Sequence, residues 1–151
     1  MLNNILIVLL SFGASAGFGL VFGIELKRLP LAGLCGAISR IVLISSQTFI
    51  PNRVAYLFLS ALAAGLLADF MAKQTKTIST MYLYPAVVPL IPGDLLYYMI
   101  TGFLIRNQEL AISNALEFVG ALAGLGLGFS AVNIVRHYTI VRKRKASAKS
   151  N

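Results

Sequence analysis

The chain has 151 residues, 58% of them hydrophobic and 12% charged, with a mean hydropathy of +0.82. A soluble domain carries about 25% charged residues, so this composition excludes an ordinary water-clothed core and points to an all-α integral membrane protein. The net charge of +8 does not mark a nucleic-acid binder, because six of the thirteen Lys and Arg lie between Arg136 and Lys149, after the last apolar run. One cysteine (Cys35) and one histidine (His137) leave no disulfide scaffold and no metal cluster within the chain. No nucleophile–base pair is visible either, so neither enzymatic activity nor a cofactor is expected.

About 20 predominantly apolar residues cross the hydrocarbon as a helix, and five segments qualify: 5–24, 30–50, 54–72, 81–105 and 111–135. In the first, Ala14-Ser15-Ala16 mimics a signal-peptide cleavage site. No Lys or Arg precedes it, however, and the apolar run continues to Ile24, so it reads as a span. The second carries Arg40 at its midpoint, together with Ser39, Ser45, Ser46 and Gln47 as weaker candidates for a polar lining. In the third, Asp69 has Lys73 four residues on and is expected to pair with it.

The fourth segment is broken. Pro85, Pro89 and Pro92 fall at i, i+4 and i+7 and are followed by Gly93. Each proline removes a backbone donor and clashes with the preceding turn, which predicts a discontinuous helix. Its second half begins near Gly93 and exposes the amides of Gly93, Asp94 and Leu95, as in the half-helices of many transporters. Asp94 lies at a depth similar to that of Arg40, and intramembrane charges mark pathways or buried pairs. Two readings stand: an Arg40–Asp94 ion pair locking two helices, or Arg40 receiving a substrate carboxylate while Asp94 takes an ammonium or coupling proton. A third reading makes Asp94 a simple cap of the half-helix. Tyr82, Tyr84, Tyr97 and Tyr98 flank the break, either stacking around a cavity or packing.

The fifth segment has Gly120, Gly124 and Gly128 in a GxxxGxxxG run, with Glu117 as a weaker pathway candidate. Gly13 with Gly17, Gly19 with Gly23, Ala32 with Gly36, Ala61 with Gly65 and Ala64 with Ala68 repeat the small-residue spacing that lets helices approach closely, within the bundle or against another chain. His137 reads as an interfacial anchor. The expected organisation is a transmembrane domain over 1–138 and a basic cytoplasmic tail over 139–151, which from Arg142 onward reads as solvated and disordered.

Charge predicts the topology. With five crossings, one side receives Lys27, Arg28, Lys73, Lys76, Arg136 and the five cations of the tail, and the other only Arg53 and Arg106. The positive-inside rule makes the first side cytoplasmic, with the N-terminus outside and the C-terminus in the cytoplasm. A fourth segment that dipped in and returned would split the charges seven to five, so five spans are expected.

Gly36-Ala37-Ile38-Ser39-Arg40-Ile41-Val42-Leu43 in the second span and Val88-Pro89-Leu90-Ile91-Pro92-Gly93 in the fourth resemble the threonine/serine exporter family. The likeness is closest to the small subunit that matches the C-terminal half of fused exporters, and it extends over essentially the whole chain. It implies a subunit of a secondary transporter in a bacterial plasma (inner) membrane, working with a larger subunit of the same family; some such pairs are associated with export of dicarboxylates such as succinate. The matching positions are Arg40 and the turn Pro89 to Gly93, while Asp94 rests on its chemistry alone. Inverted repeats give the same need for a second half: a five-span unit requires a partner subunit or a copy of itself. The expected substrate-binding residues are Arg40, Pro89, Pro92, Gly93 and Asp94. One Arg and one Asp favour an amino acid over a dicarboxylate, and the alternative is a non-transporting assembly or regulatory subunit.

Overall fold

The computed structural model describes residues 2–148, and the surroundings of side chains from Asn3 to Tyr138. All regular structure among them is helical: α1 (Leu2–Val21), α2 (Leu29–Phe49), α3 (Arg53–Thr75), α4 (Ser79–Val87), α5 (Gly93–Leu104) and α6 (Gln108–Ala148). Four of these, α1, α2, α3 and α6, are long and apolar enough to cross a membrane. The helical pair 79–90 and 93–104 is bent by 50° at its break and adds a fifth span if the two halves are counted as one.

Local chemistry sets the boundaries. Pro30 sits in the first turn of α2, where a missing N–H costs nothing. Asn52 caps α3, its side chain accepting from the amides of Val54 (2.9 Å) and Ala55 (3.4 Å). Asn107 does the same for α6 through the amide of Leu110 at 3.1 Å.

The core is built from small side chains. Ala32, Cys35, Ala61, Ala64, Ala68, Ala86 and Ala121 are fully buried, and α3 is the hub, packed against α2, α4 and α6. Lipid is as apolar as a leucine side chain, so helices in it associate through close packing and not through expulsion of water. Three glycines make that packing possible between α3 and α6. A Cβ on Gly124 would stand 2.5 Å from the Val54 carbonyl oxygen, and one on Gly128 would stand 2.6 Å from that of Phe58. From the α3 side, a Cβ on Gly65 would meet Val132 at 2.7 Å. Gly13, Gly17 and Gly126 have open space around them, so only part of the small-residue spacing in the sequence serves this interface.

Two expectations are corrected. Asp69 pairs with Arg136 (3.8 Å), not with Lys73; its side chain is only 13% exposed and faces α6, and an i,i+4 pair worth a few tenths of a kcal/mol cannot turn it outward. The basic segment from Arg142, expected to be disordered, is helical as far as Ala148, where α6 ends. The stretch from Ser130 to Ala148 contains no glycine or proline, and its Ala, Arg and Lys are good helix formers. Residues 149–151 lie outside the described part of the tail.

Gly124→Ala should lower the melting temperature of the detergent-purified protein, because overpacking costs about 1–3 kcal/mol. Gly126→Ala, at an open position on the same helix, should leave it unchanged or raise it slightly.

Candidate polar site at the broken helix

Proline removes the donor that the carbonyl four residues earlier would use. Pro89 therefore strands the carbonyl of Pro85, and Pro92 strands that of Val88. The two orphans are satisfied differently. Val88 accepts from the Ile91 amide at 3.4 Å, closing a tight turn over Val88–Leu90. The Pro85 carbonyl is buried and accepts from Ser15 Oγ of α1 at 2.9 Å. Gly36 of α2 makes that bond possible, since a Cβ there would collide with Ser15 Oγ.

A third carbonyl is released by the turn itself. The Gly93 amide bonds to Ile91 (2.9 Å), so the Pro89 carbonyl lacks its helical donor. Arg40 reaches it from α2, donating from Nη1 at 2.9 Å. Arg40 Nε is buried and has no hydrogen-bond partner. The anticipated Arg40–Asp94 ion pair is not formed.

Asp94 instead accepts from Arg53 Nη1 at 3.0 Å, and Arg53 Nε lies 3.7 Å from Glu117 of α6. Arg53 is the first residue of α3, so it faces the first turn of α5 and joins three helices at one end of the bundle. Asp94 makes no side-chain cap; Pro92 occupies the N-cap position of α5. One of the three amides expected to be open, that of Gly93, is taken within the turn. Those of Asp94 and Leu95 lie in the first turn of α5, where amides have no acceptor within the helix.

These groups meet in a cleft of about 270 Å³ lined by Arg40, Gln47, Arg53, Tyr56, Pro92, Gly93 and Asp94, among others. Of the residues anticipated from the sequence, Arg40, Pro92, Gly93 and Asp94 line it, and Pro89 contributes the carbonyl that orients Arg40. Ser39 bonds its own helix through the Cys35 carbonyl at 2.6 Å. Tyr82 is buried in the core, Tyr84 packs on Phe22, and Tyr97 and Tyr98 meet edge to face. The tyrosine of the cleft is Tyr56. Arg53 was legible only as a topology charge. Ser15 was legible only as part of a mock cleavage site, although the orphan left by Pro89 announces that some donor must come.

A polar, cation-bearing cleft beside an interrupted helix is an arrangement that many secondary transporters use for their sites. A family model described as Threonine/Serine exporter, ThrE, matches residues 7–135. The chain belongs to that family, a family of membrane transport proteins and not of enzymes. Nothing among curated proteins and nothing among solved structures matches the chain.

Gly36→Ala should destabilise the fold by driving Ser15 off the Pro85 carbonyl, which then stays buried and unpaired at about 1–3 kcal/mol. Adding Ser15→Gly should recover part of the lost melting temperature by relieving the collision, a coupling that independent sites do not show.

Proposed function

We propose that the chain is one half of an exporter of threonine/serine-type amino acids, working by alternating access with a second five-span half. That half is a larger subunit of the same family or a second copy of this chain. The observation that carries this reading is Arg40: a guanidinium held at a helix break, with Nε buried and unpaired at the edge of a polar cleft. Buried polar groups are nearly always satisfied, so an unpaired guanidinium Nε beside a polar cleft favours a visiting carboxylate. The Asp94 and Leu95 amides at the start of α5 supply further donors for it. Pro89, Pro92 and Gly93 hold the turn that keeps both sets in register, and Asp94 takes the substrate ammonium by exchanging it for Arg53.

A polar cleft at Arg40, in place of an Arg40–Asp94 lock, favours transport over a purely structural subunit. A bend of 50° between the halves of the fourth segment supports a crossing, because a hairpin that returned to its own side would need a far larger reversal. Five crossings with the N-terminus outside and the C-terminus in the cytoplasm of a bacterial inner membrane follow from the positive-inside rule. Dicarboxylates such as succinate are the second substrate class. Arg53, a second guanidinium in the same cleft, is the feature that favours them.

The test is efflux of labelled threonine and labelled succinate from cells carrying the chain with its partner half. Arg40→Ala is expected to cut threonine efflux per assembled protein roughly 10–100-fold, as loss of a hydrogen bond to a charged group implies; it also strands the Pro89 carbonyl, so Arg40→Lys, which keeps a donor there, separates lost substrate binding from lost fold. Undiminished export by an assembled Arg40→Ala protein would remove Arg40 from the mechanism. Preferential efflux of succinate would move the assignment to dicarboxylates.

A further inference from the structure

At the other end of α3 from the Arg40 cleft, a second groove of about 580 Å³ opens between α3, the start of α4 and α6. Its charged groups are Lys73, Lys76, Arg136 and Asp69, and its apolar wall includes Leu66, Phe70 and Val132. Asp69 is held by Arg136 at 3.8 Å. Among the described residues neither Lys73 nor Lys76 enters an ion pair. The groove therefore keeps an excess of positive charge where a long helix of a membrane protein ends.

Lys76 is also placed with some insistence. It closes α3 in the left-handed conformation, at φ 54°, the position where helices ordinarily use glycine. The turn that carries it is fixed from beneath. Thr75 Oγ1 donates to the Met71 carbonyl (2.8 Å), shares a 2.7 Å bond with Thr77 Oγ1, and accepts from the hydroxyl of the buried Tyr82 at 3.1 Å. A side chain is thus held at a strained position and aimed at the groove by a built support.

A cationic mouth beside apolar walls at a membrane boundary matches one ligand chemistry. We propose that this groove is a binding site for an anionic phospholipid, with the headgroup phosphate between Lys73, Lys76 and Arg136 and an acyl chain along Leu66, Phe70 and Val132. Basic pockets between membrane helices recognise such headgroups by the same complementarity. The proposal needs only that the chain is membrane-embedded, and stands or falls apart from the transport reading.

Titration of the purified protein with phosphatidylglycerol or phosphatidylcholine, followed by native mass spectrometry, tests it. Phosphatidylglycerol should be retained over phosphatidylcholine. Lys73→Gln/Lys76→Gln should weaken it roughly thirtyfold, the combined contribution of two surface lysines. Lys73→Arg/Lys76→Arg should keep the affinity, and Lys27→Gln/Arg28→Gln, with the same loss of charge elsewhere, should not alter it. Equal weakening by the Lys27/Arg28 pair, equal retention of phosphatidylcholine, or displacement of phosphatidylglycerol by inorganic phosphate would overturn it, the last by marking a free-anion site.

Discussion

The structure turns on hydrogen bonds that cannot be made. In hydrocarbon a stranded backbone carbonyl has no water to fall back on and costs several kcal/mol, so a proline that breaks a membrane helix leaves a carbonyl that must find its donor within a tight turn or on another helix. Pro89 obliges α1, which answers with Ser15; the turn around Pro92 and Gly93 obliges α2, which answers with Arg40. The broken segment is thereby fastened to α1 and α2, and Gly36 exists as the gap through which one of those bonds passes. A regular helix at the same place would have closed its own bonds and left Arg40 with nothing to hold.

The remaining helices are joined by different means. α3 and α6 meet backbone to backbone at Gly124 and Gly128, and both ends of their contact carry ion pairs: Arg53 with Glu117 at one, Asp69 with Arg136 at the other. α5 rests on α6 and is tied to α3 through Asp94 and Arg53. The molecule thus has a glycine-packed unit of α3, α5 and α6 and a hydroxyl- and guanidinium-tied unit of α1, α2 and α4, with α3 touching both. The cleft at Arg40 takes its walls from both groups: Arg40 and Gln47 of α2, Arg53 and Tyr56 of α3, and Pro92, Gly93 and Asp94 of the break.

How much of this was readable in the sequence depends on the range of the interaction. Hydropathy gave the long helices and the positions of their breaks, because both depend on composition within one segment. The interruption near Gly93 followed from proline chemistry, which is also local. Pairing did not follow. Asp69 had a plausible partner one turn away and took Arg136, 67 residues on, because burial against α6 outweighs a weak local attraction. Asp94 and Arg40 shared a depth but not a partner: the turn presents a carbonyl to Arg40 and turns Asp94 toward the start of α3. Arg53 stood in the sequence as a loop charge beside Pro51 and Asn52, and only the packing of α3 against the break makes it part of the cleft.

That third residue changes the charge argument for the substrate. With Arg40 and Asp94 alone, a bound zwitterion would simply meet two opposite charges. With Arg53 present, Asp94 already accepts a hydrogen bond on Oδ2, and on the proposed reading an incoming ammonium would share or displace that guanidinium. The exchange is feasible because Arg53 retains Glu117 when it lets go of Asp94, so no charge is left without a partner in either arrangement. Both Arg53 pairs are partly open to solvent, with Arg53 itself 32% exposed, and pairs in that setting contribute at most about 1 kcal/mol. A contact so weak is a poor lock and a good exchangeable one. Arg40, whose buried Nε has no partner to give up, is the fixed cation against which such an exchange would run.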